Sequence, residues 1–330
     1  MAPGWWVVDG QRVVAGPFED RGEADFCDLP PEYVDDDEAI SRLQSAYGSP
    51  RADGTFDERP SPEDRAWEAH LAEQLERIPG SLGKRWLAGD RSLEVAGAVA
   101  VATALVEVGL PLHDCEGHSP LGGACVAPAQ DSISVTWSQH RRAIFRASEL
   151  DGRFHAVQDV MTKAITDVLA ACLGVTMHGD AYEAGKAHPA LLDRETAEER
   201  AWQAHLAEQL ERIPGSLGHR WLAGDRSPQA VLAAEIATAV FEAGLPLYDS
   251  DRQSSLGGVY VGRAWQADGY TVVWAQHDRQ AHLHVRGYRV FDDVQNVMND
   301  TLRDLLRVLG FRVEPDGEES GFLVTGRARG

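Results

Sequence analysis

Apolar side chains recur at helical spacing in the segment that begins near residue 61. Four of them are spaced to lie on one helix face: Trp67, Leu71, Leu75 and Ile78. Ser61 followed by Pro62 is a typical helix start, and Pro79 followed by Gly80 is a typical stop. The pattern therefore predicts an amphipathic helix, which a short helical piece around Arg85 follows after a turn.

The pattern then changes from helix to strand. Residues 93–108 are rich in Ala and Val on nearly all sides, which predicts a buried helix between Ser92 and Gly109. Short apolar runs bounded by turn residues predict strands at 110–114, 124–127, 132–137 and 143–146. A long amphipathic run at 154–173 predicts a closing helix. Successive strands flanked by helices indicate an α+β fold, in which an antiparallel meander has its helices on one side.

The chain repeats itself at an offset of 135 residues. Residues 66–92 recur at 201–227 with 25 of 27 positions identical, since only Glu68/Gln203 and Lys84/His219 differ. The later elements recur as predicted strands at 245–248, 259–263, 270–275 and 282–286, a closing helix at 291–309 and a hairpin of 311–314 with 322–325. We interpret this as a tandem duplication, with repeat domain 1 at 61–180, a linker at 181–195 and repeat domain 2 at 196–330.

The first sixty residues form a third region. Residues 5–9 and 11–15 predict a β-hairpin across Asp9-Gly10, and a short helix follows within 19–28. Residues 29–60 are rich in Pro, Asp and Gly. This composition predicts an acidic linker with a possible helical stretch at 37–47.

The net charge of the chain excludes some classes of function. The net charge is −21, from 52 acidic and 31 basic residues. Such a charge argues against direct binding of nucleic acids, which needs basic patches. It leaves open an acidic nucleic-acid mimic, although a solvated acidic face is the commoner origin of such runs.

The hydropathy pattern and the cysteine spacing indicate where in the cell the protein is located. No stretch reaches the ~18 apolar residues of a membrane span, so no membrane partner is expected. The four cysteines include no CxxC pair and predict no disulfide framework. A cytoplasmic protein is predicted.

The near-identical segment supplies the candidate interaction residues. It contains Trp, His and Arg in amphipathic helices, and Trp and Arg are enriched at binding hot spots. The candidates are Trp67, His70, Arg77, Arg85, Trp86, Trp202, His205, Arg212, Arg220 and Trp221. Two alternatives remain open: the identity reflects gene conversion or shared packing, or it marks a contact surface that is used twice.

Two histidines are the candidate catalytic residues. Trp-x-Gln-His recurs at the end of a predicted strand, with His140 in one copy and His277 in the other. A histidine beside a glutamine can act as a general base. No nucleophile or orienting carboxylate recurs near it, so a strand-end histidine bonded to backbone is the competing interpretation.

A metal site is the third chemical hypothesis. His113, Cys115, His118 and Cys125 are ligand types that suit zinc. The matching positions in the second copy are Tyr248, Ser250, Gln253 and Tyr260, which are poor zinc ligands. We therefore expect neither a metal nor a cofactor.

The order GG-x-x-V, TW-x-QH and VQ-x-VM…LG covers the C-terminal part of each repeat. It resembles uncharacterised actinobacterial and actinophage mobile-element-type proteins. This resemblance implies no activity, fold or catalytic residue.

The sequence thus favours a non-enzymatic interaction or structural protein. Its partner is expected to be another protein, or a second copy of the chain bound through the repeated helical segments. A hydrolase or transferase that uses His140 or His277 is the alternative, and an acidic nucleic-acid mimic comes third.

Overall fold

The computed structural model describes most of the chain. The chain divides into two compact units. The described residues are 2–25, 27–30, 33, 42–114, 121–129, 132–140, 143, 152–174, 205–206, 208–213, 220–221, 223–249, 257–264, 268–277, 288–315 and 321–328. The units are Met1–His70 and Leu71–Gly330.

The first unit contains a four-stranded antiparallel sheet in the order β2-β1-β3-β4. Its elements are β1 (Gly4–Asp9), β2 (Arg12–Phe18), α1 (Arg21–Asp25), β3 (Leu43–Pro50) and β4 (Phe56–Glu58). The hairpin of β1 and β2 and the short helix are as predicted. The predicted linker at 29–60 is wrong in its second part, because β3 pairs with the whole length of β1 and β4 pairs with the end of β3. Alternate side chains of β1 enter separate apolar clusters on the two faces of the sheet.

Helix α2 (Pro62–Leu75) contains the boundary between the two units. It begins with a capping box. The Ser61 hydroxyl accepts from the Asp64 N–H at 2.9 Å, and the Asp64 carboxylate accepts from the Ser61 N–H at 3.2 Å. A 3₁₀ turn (Pro79–Ser81), α3 (Leu82–Leu87) and α4 (Leu93–Glu107) follow, and α4 is buried on most sides as predicted.

The rest of the second unit consists of antiparallel strands and long helices. The first set is β5 (Gly123–Ala129), β6 (Ser132–Ser138) and α5 (Arg153–Leu173). The second set is α6 (Pro228–Glu242), β7 (Gly258–Arg263), β8 (Tyr270–Ala275), α7 (Tyr288–Val308), β9 (Phe311–Pro315) and β10 (Phe322–Arg327). Helices and antiparallel sheets together make the fold α+β, as predicted.

Two predicted strands are corrected by the structure. Within 110–114 and 245–248, only single bridges form, Leu112 with Ala124 and Leu247 with Val259, and both bridges are parallel. A simple antiparallel meander is therefore wrong at these positions. The second sheet has the order β7-β8-β10-β9, with the C-terminal hairpin at one edge. The predicted strand at 282–286 and all but the first residue of that at 143–146 lie outside the described residues.

Candidate functional site

The two recurring tryptophans join the halves of the second unit, which we call the first half (residues 71–174) and the second half (residues 205–328). Trp137 and Trp274 are the next-to-last residues of β6 and β8, and each is 2% exposed. The Trp137 Nε1–H donates to the Ala243 carbonyl of the second half at 2.7 Å. The Trp274 Nε1–H donates to the Val108 carbonyl of the first half at 2.8 Å. Each indole thus binds the C-terminal end of the opposite buried helix, as in a reciprocal two-fold interface.

Glycine pairs let the two halves approach closely. A Cβ added at Gly122 would lie 2.5 Å from the Gly244 Cα, and one at Gly257 would lie 2.7 Å from the Gly109 Cα. Gly109 and Gly244 also follow helix ends with φ of 88° and 94°, a left-handed conformation that favours glycine. These glycines are required for backbone contact between the halves.

The glutamine of each Trp-x-Gln-His motif secures the closing helix of its own half. The Gln139 Nε2–H donates to the Phe154 carbonyl at 2.7 Å. In return, Gln158 of α5 donates to the Trp137 carbonyl at 2.5 Å. The second half has the same bonds, made by Gln276 to Phe291 and Gln295 to Trp274. The Gln158 and Gln295 roles were not predicted, although their recurrence in both copies was visible.

Both candidate catalytic histidines are buried, and His140 packs at the same interface. His140 and His277 are each 4% exposed. The His140 N–H donates to the Glu242 carbonyl at 3.1 Å, and its ring lies 5.4 Å from the Phe241 ring across the interface. A substrate would have to separate packed side chains to reach either imidazole.

The repeated 27-residue segment anchors the chain that leads into each sheet. The Arg77 guanidinium donates to the Leu112 carbonyl at 3.1 Å, and the Gln74 Oε1 accepts from the Leu112 N–H at 3.1 Å. The second half has both bonds, between Arg212, Gln209 and Leu247. Part of the identity between the copies is therefore structural. The glutamines were missed because a polar residue on a helix gives no sign of its distant backbone partner.

The exposed part of this segment forms what we call the Arg–Trp corner: Arg85, Trp86, Asp90 and Arg91 in the first half. The Arg85 Nε–H donates to Asp90 at 2.9 Å. The exposed Arg91 guanidinium stacks 3.7 Å from the centre of the half-buried Trp86 ring, and it donates to the Trp86 carbonyl at 2.7 Å. The hydrogen bonds hold the cation over the ring.

The second half has an equivalent corner with the same contacts, formed by Arg220, Trp221, Asp225 and Arg226. The Arg226 guanidinium lies 3.9 Å from the centre of the Trp221 ring. Beside the first corner, Leu87 and Leu93 are large exposed apolar side chains, at 54% and 94%. Both corners combine a fixed cation with an aromatic ring, and the first corner also has adjacent apolar surface.

The corner carboxylates should titrate below the ordinary aspartate range. The Ser92 N–H, the Ser92 hydroxyl and Arg85 lower the pKa of Asp90, and Ser227 and Arg220 do the same for Asp225. Because these folded-state pKa values are lowered, the stabilisation is present above the unfolded pKa and is lost as pH falls through the folded value. Carboxyl ¹³C titration by NMR will measure both. Ser92→Ala keeps the backbone N–H but removes the hydroxyl, so it should raise the pKa of Asp90 and leave that of Asp225 unchanged; an unshifted Asp90 would contradict the role of the hydroxyl.

The other predicted interaction residues do not belong to the Arg–Trp corners. Trp67 is buried, with its ring 6.3 Å from that of His70. His205 lies 4.7 Å, ring to ring, from Phe241. Trp202 lies outside the described residues.

The zinc hypothesis loses one of its ligands. His113 Nδ1 lies 2.7 Å from the Leu121 carbonyl, and desolvation lowers the pKa of its imidazole. Cys125 is in a disulfide and has no thiolate to offer a metal. This single bond was not predicted, although the sequence was expected only to lack a disulfide framework. Cys115 and His118 lie outside the described residues, and the described ones contain no cluster of three potential ligands.

The disulfide predicts the thiol count. Cys27 and Cys172 are thiols, so two thiols per chain should react with Ellman's reagent in denaturant, and all four cysteines should react after reduction. Four reactive thiols before reduction would contradict the disulfide. Because disulfides are rare in the cytosol, the count in protein taken from its host also tests the predicted cytoplasmic location.

Within the described ranges, every helix is too short or too polar to traverse a bilayer. No protein-family model matches the chain, and no similar protein was found among curated proteins or solved structures.

Proposed function

We propose that this chain is a non-enzymatic protein-interaction protein, built on a duplicated α+β domain, whose two Arg–Trp corners bind a partner protein. The observation that carries the proposal is that an exposed arginine lies on a half-buried tryptophan in both halves, at 3.7 and 3.9 Å. Trp and Arg are, with Tyr, the side chains enriched at the hot spots of protein–protein interfaces.

The geometry of the corner favours binding of a partner over a purely structural role. Arg91 is held over Trp86 before any partner arrives, so little side-chain entropy is lost on association. Arg85 is half-exposed beside Asp90, which gives the corner both a donor and an acceptor. The exposed Leu93 adds apolar area.

Two such corners in one compact unit support bivalent binding. A partner with two matching sites, or two linked partners, would bind the second corner as an intramolecular step. Loss of one corner should then weaken binding by much more than half, and loss of both should abolish it.

The enzymatic alternative has less support. Both recurring histidines are buried, His140 lies in the contact between the halves, and the neighbouring Trp137 and Trp274 bind backbone carbonyls there. The Trp-x-Gln-His motif thereby has a packing role that accounts for its recurrence.

Quantitative affinity capture from the native host tests the proposal. The full chain is compared with Arg91→Glu, Arg226→Glu and the double variant, which reverse the charge over each tryptophan. We expect a partner that wild type retains, each single variant retains weakly and the double variant loses.

A matched control reverses two exposed arginines of α7, Arg289→Glu with Arg307→Glu, for the same change in net charge. The control should retain the partner. Equal capture by all variants would overturn the role of the corners, as would equal loss from the control and the double variant.

A further inference from the structure

The two Arg–Trp corners differ in one carboxylate. In the first half, Glu94 of α4 forms an ion pair with Arg85, with 3.3 Å between the Glu94 Oε2 and the Arg85 Nη1. The matching residue of α6 is Gln229, which is exposed and uncharged. Arg220 of the second corner keeps its ion pair with Asp225, but Gln229 cannot offer it the second carboxylate that Arg85 has.

A third arginine lies beside the second corner. Arg263 ends β7 opposite Tyr270 of β8, and directly opposed residues of antiparallel strands project from the same face of a sheet. The Tyr270 hydroxyl donates to the Gln229 carbonyl at 3.0 Å, which places this face beside the N-terminal end of α6. In the first half, the matching pair is Pro128 opposite Ile133, which supplies neither a charge nor a hydroxyl.

The charges of the second corner act together on the Tyr270 hydroxyl. Burial raises the pKa of this hydroxyl, and the charges of Arg220 and Arg263 oppose the rise, so both guanidiniums lie near it. Arg226 and Arg263 are exposed, and the Arg220 side chain is 50% exposed. The second corner therefore presents three solvent-accessible arginines beside the carboxylate of Asp225.

The second corner is the more positive of the two. The first has two arginines and two carboxylates, and the second has three arginines and one carboxylate. Lys84 precedes the first corner, and its counterpart His219 lies outside the described residues, so this lysine offsets only one of the two differences. Because salt screens charges beyond roughly 10 Å, an anion at the corner responds to these nearby groups more than to the net charge of −21.

We infer that the second corner binds an acidic segment of the partner protein, and that Gln229 and Arg263 determine this preference. The inference rests on the proposed function and names the chemistry of the partner. A carboxylate fits the planar fork of a guanidinium, as the ion pair of Asp225 with Arg220 illustrates. A short acidic segment stays within the screening length, whereas a nucleic acid is a long polyanion that would extend over the acidic remainder of the chain.

Binding of an acidic peptide to the full chain tests the inference. The probe is fluorescein-labelled GDEDEDEG, followed by fluorescence anisotropy, and its amide analogue GNQNQNQG is the uncharged comparison. We expect saturable binding of the acidic probe and at least about tenfold weaker binding of the amide probe. Gln229→Glu supplies the carboxylate that the first corner has, and Arg263→Gln removes the third cation. Each should weaken binding about twofold to fivefold, the range of one exposed ion pair.

Matched variants make the same two changes away from the corners. Gln11→Glu lies in the turn between β1 and β2, and Arg289→Gln lies in α7, and both residues are exposed. These variants should bind the acidic probe like wild type. Equal weakening by the matched variants would show that only the net charge of the chain matters, and equal binding of the two probes would show that carboxylates do not matter. Either result would overturn the inference.

Further outcomes separate this inference from the proposed function. If capture of the partner depends on the corners while the two probes bind alike, only the acidic assignment fails. If the acidic probe binds and Gln229→Glu weakens it while capture ignores the corners, only the proposed function fails. Tighter binding of an oligothymidylate of the same charge would make a nucleic acid the occupant and overturn the assignment. A dimer of the full chain that the acidic probe dissociates would make a second copy the occupant, with the same consequence.

Discussion

Alanine at Gly122 or at Gly257 is expected to destabilise the Leu71–Gly330 unit by about 1–3 kcal/mol or more, since overpacked sites typically cost this much. At Gly122, the new Cβ would lie 2.5 Å from the Gly244 Cα and 2.6 Å from the Ser138 carbonyl oxygen. These atoms are backbone, so no side-chain rotamer can relieve the clash. The two halves must move apart to relieve the clash. This movement would lengthen the hydrogen bonds that the Trp137 and Trp274 indoles make across the interface.

Gly97→Ala is the matched control for this prediction. It makes the same chemical change within α4, where the new Cβ would meet Ile133 Cγ1 at an ordinary 3.7 Å. Glycine inside a helix costs roughly 0.5–1 kcal/mol relative to alanine, so this variant should be stabilised. Urea unfolding at equilibrium measures all three variants. A loss of stability at Gly97 equal to that at Gly122 would contradict the close contact between the halves.

Local sequence patterns predicted the helices and strands correctly where the residues that begin and end each element are close to it in sequence. The capping box at Ser61, the Ala- and Val-rich helix and the C-terminal hairpin all have their determinants within a few residues. Strand β3 shows the opposite case. Its partner β1 lies about forty residues earlier, and the intervening Pro- and Asp-rich composition indicates a linker. Non-local pairing decided the outcome there.

The sequence predicted which residue types form the candidate site, but it did not predict which of these side chains are exposed to solvent. Spacing identified Arg77 and Arg85 alike, yet Arg77 binds the Leu112 carbonyl whereas Arg85 is half-exposed beside Asp90. Arg91 was not a candidate, because its stacking on Trp86 depends on the turn between two helices. A residue that stabilises the fold and a residue that binds a partner would both recur in the two copies. Recurrence in the sequence therefore cannot distinguish these two roles.

Replacement of Trp137 or Trp274 by alanine should have the largest effect, about 3–5 kcal/mol of unfolding free energy, as for large aromatic core truncations. Each ring is buried, and each indole satisfies a helix-end carbonyl of the opposite half. Removal of the donor leaves the Ala243 or Val108 carbonyl without this bond, a loss that adds about 1–3 kcal/mol at a buried site.

Phenylalanine separates the two contributions. Trp274→Phe keeps most of the apolar area but loses the Nε1–H, so it should recover most of the stability that alanine loses. Trp86→Ala is the surface control, because the ring is half-buried beneath Arg91 and should cost far less. Thermal and urea unfolding of the four variants measures the series. A loss below about 1 kcal/mol for Trp274→Ala, the range of surface substitutions, would mean that this indole does not join the halves.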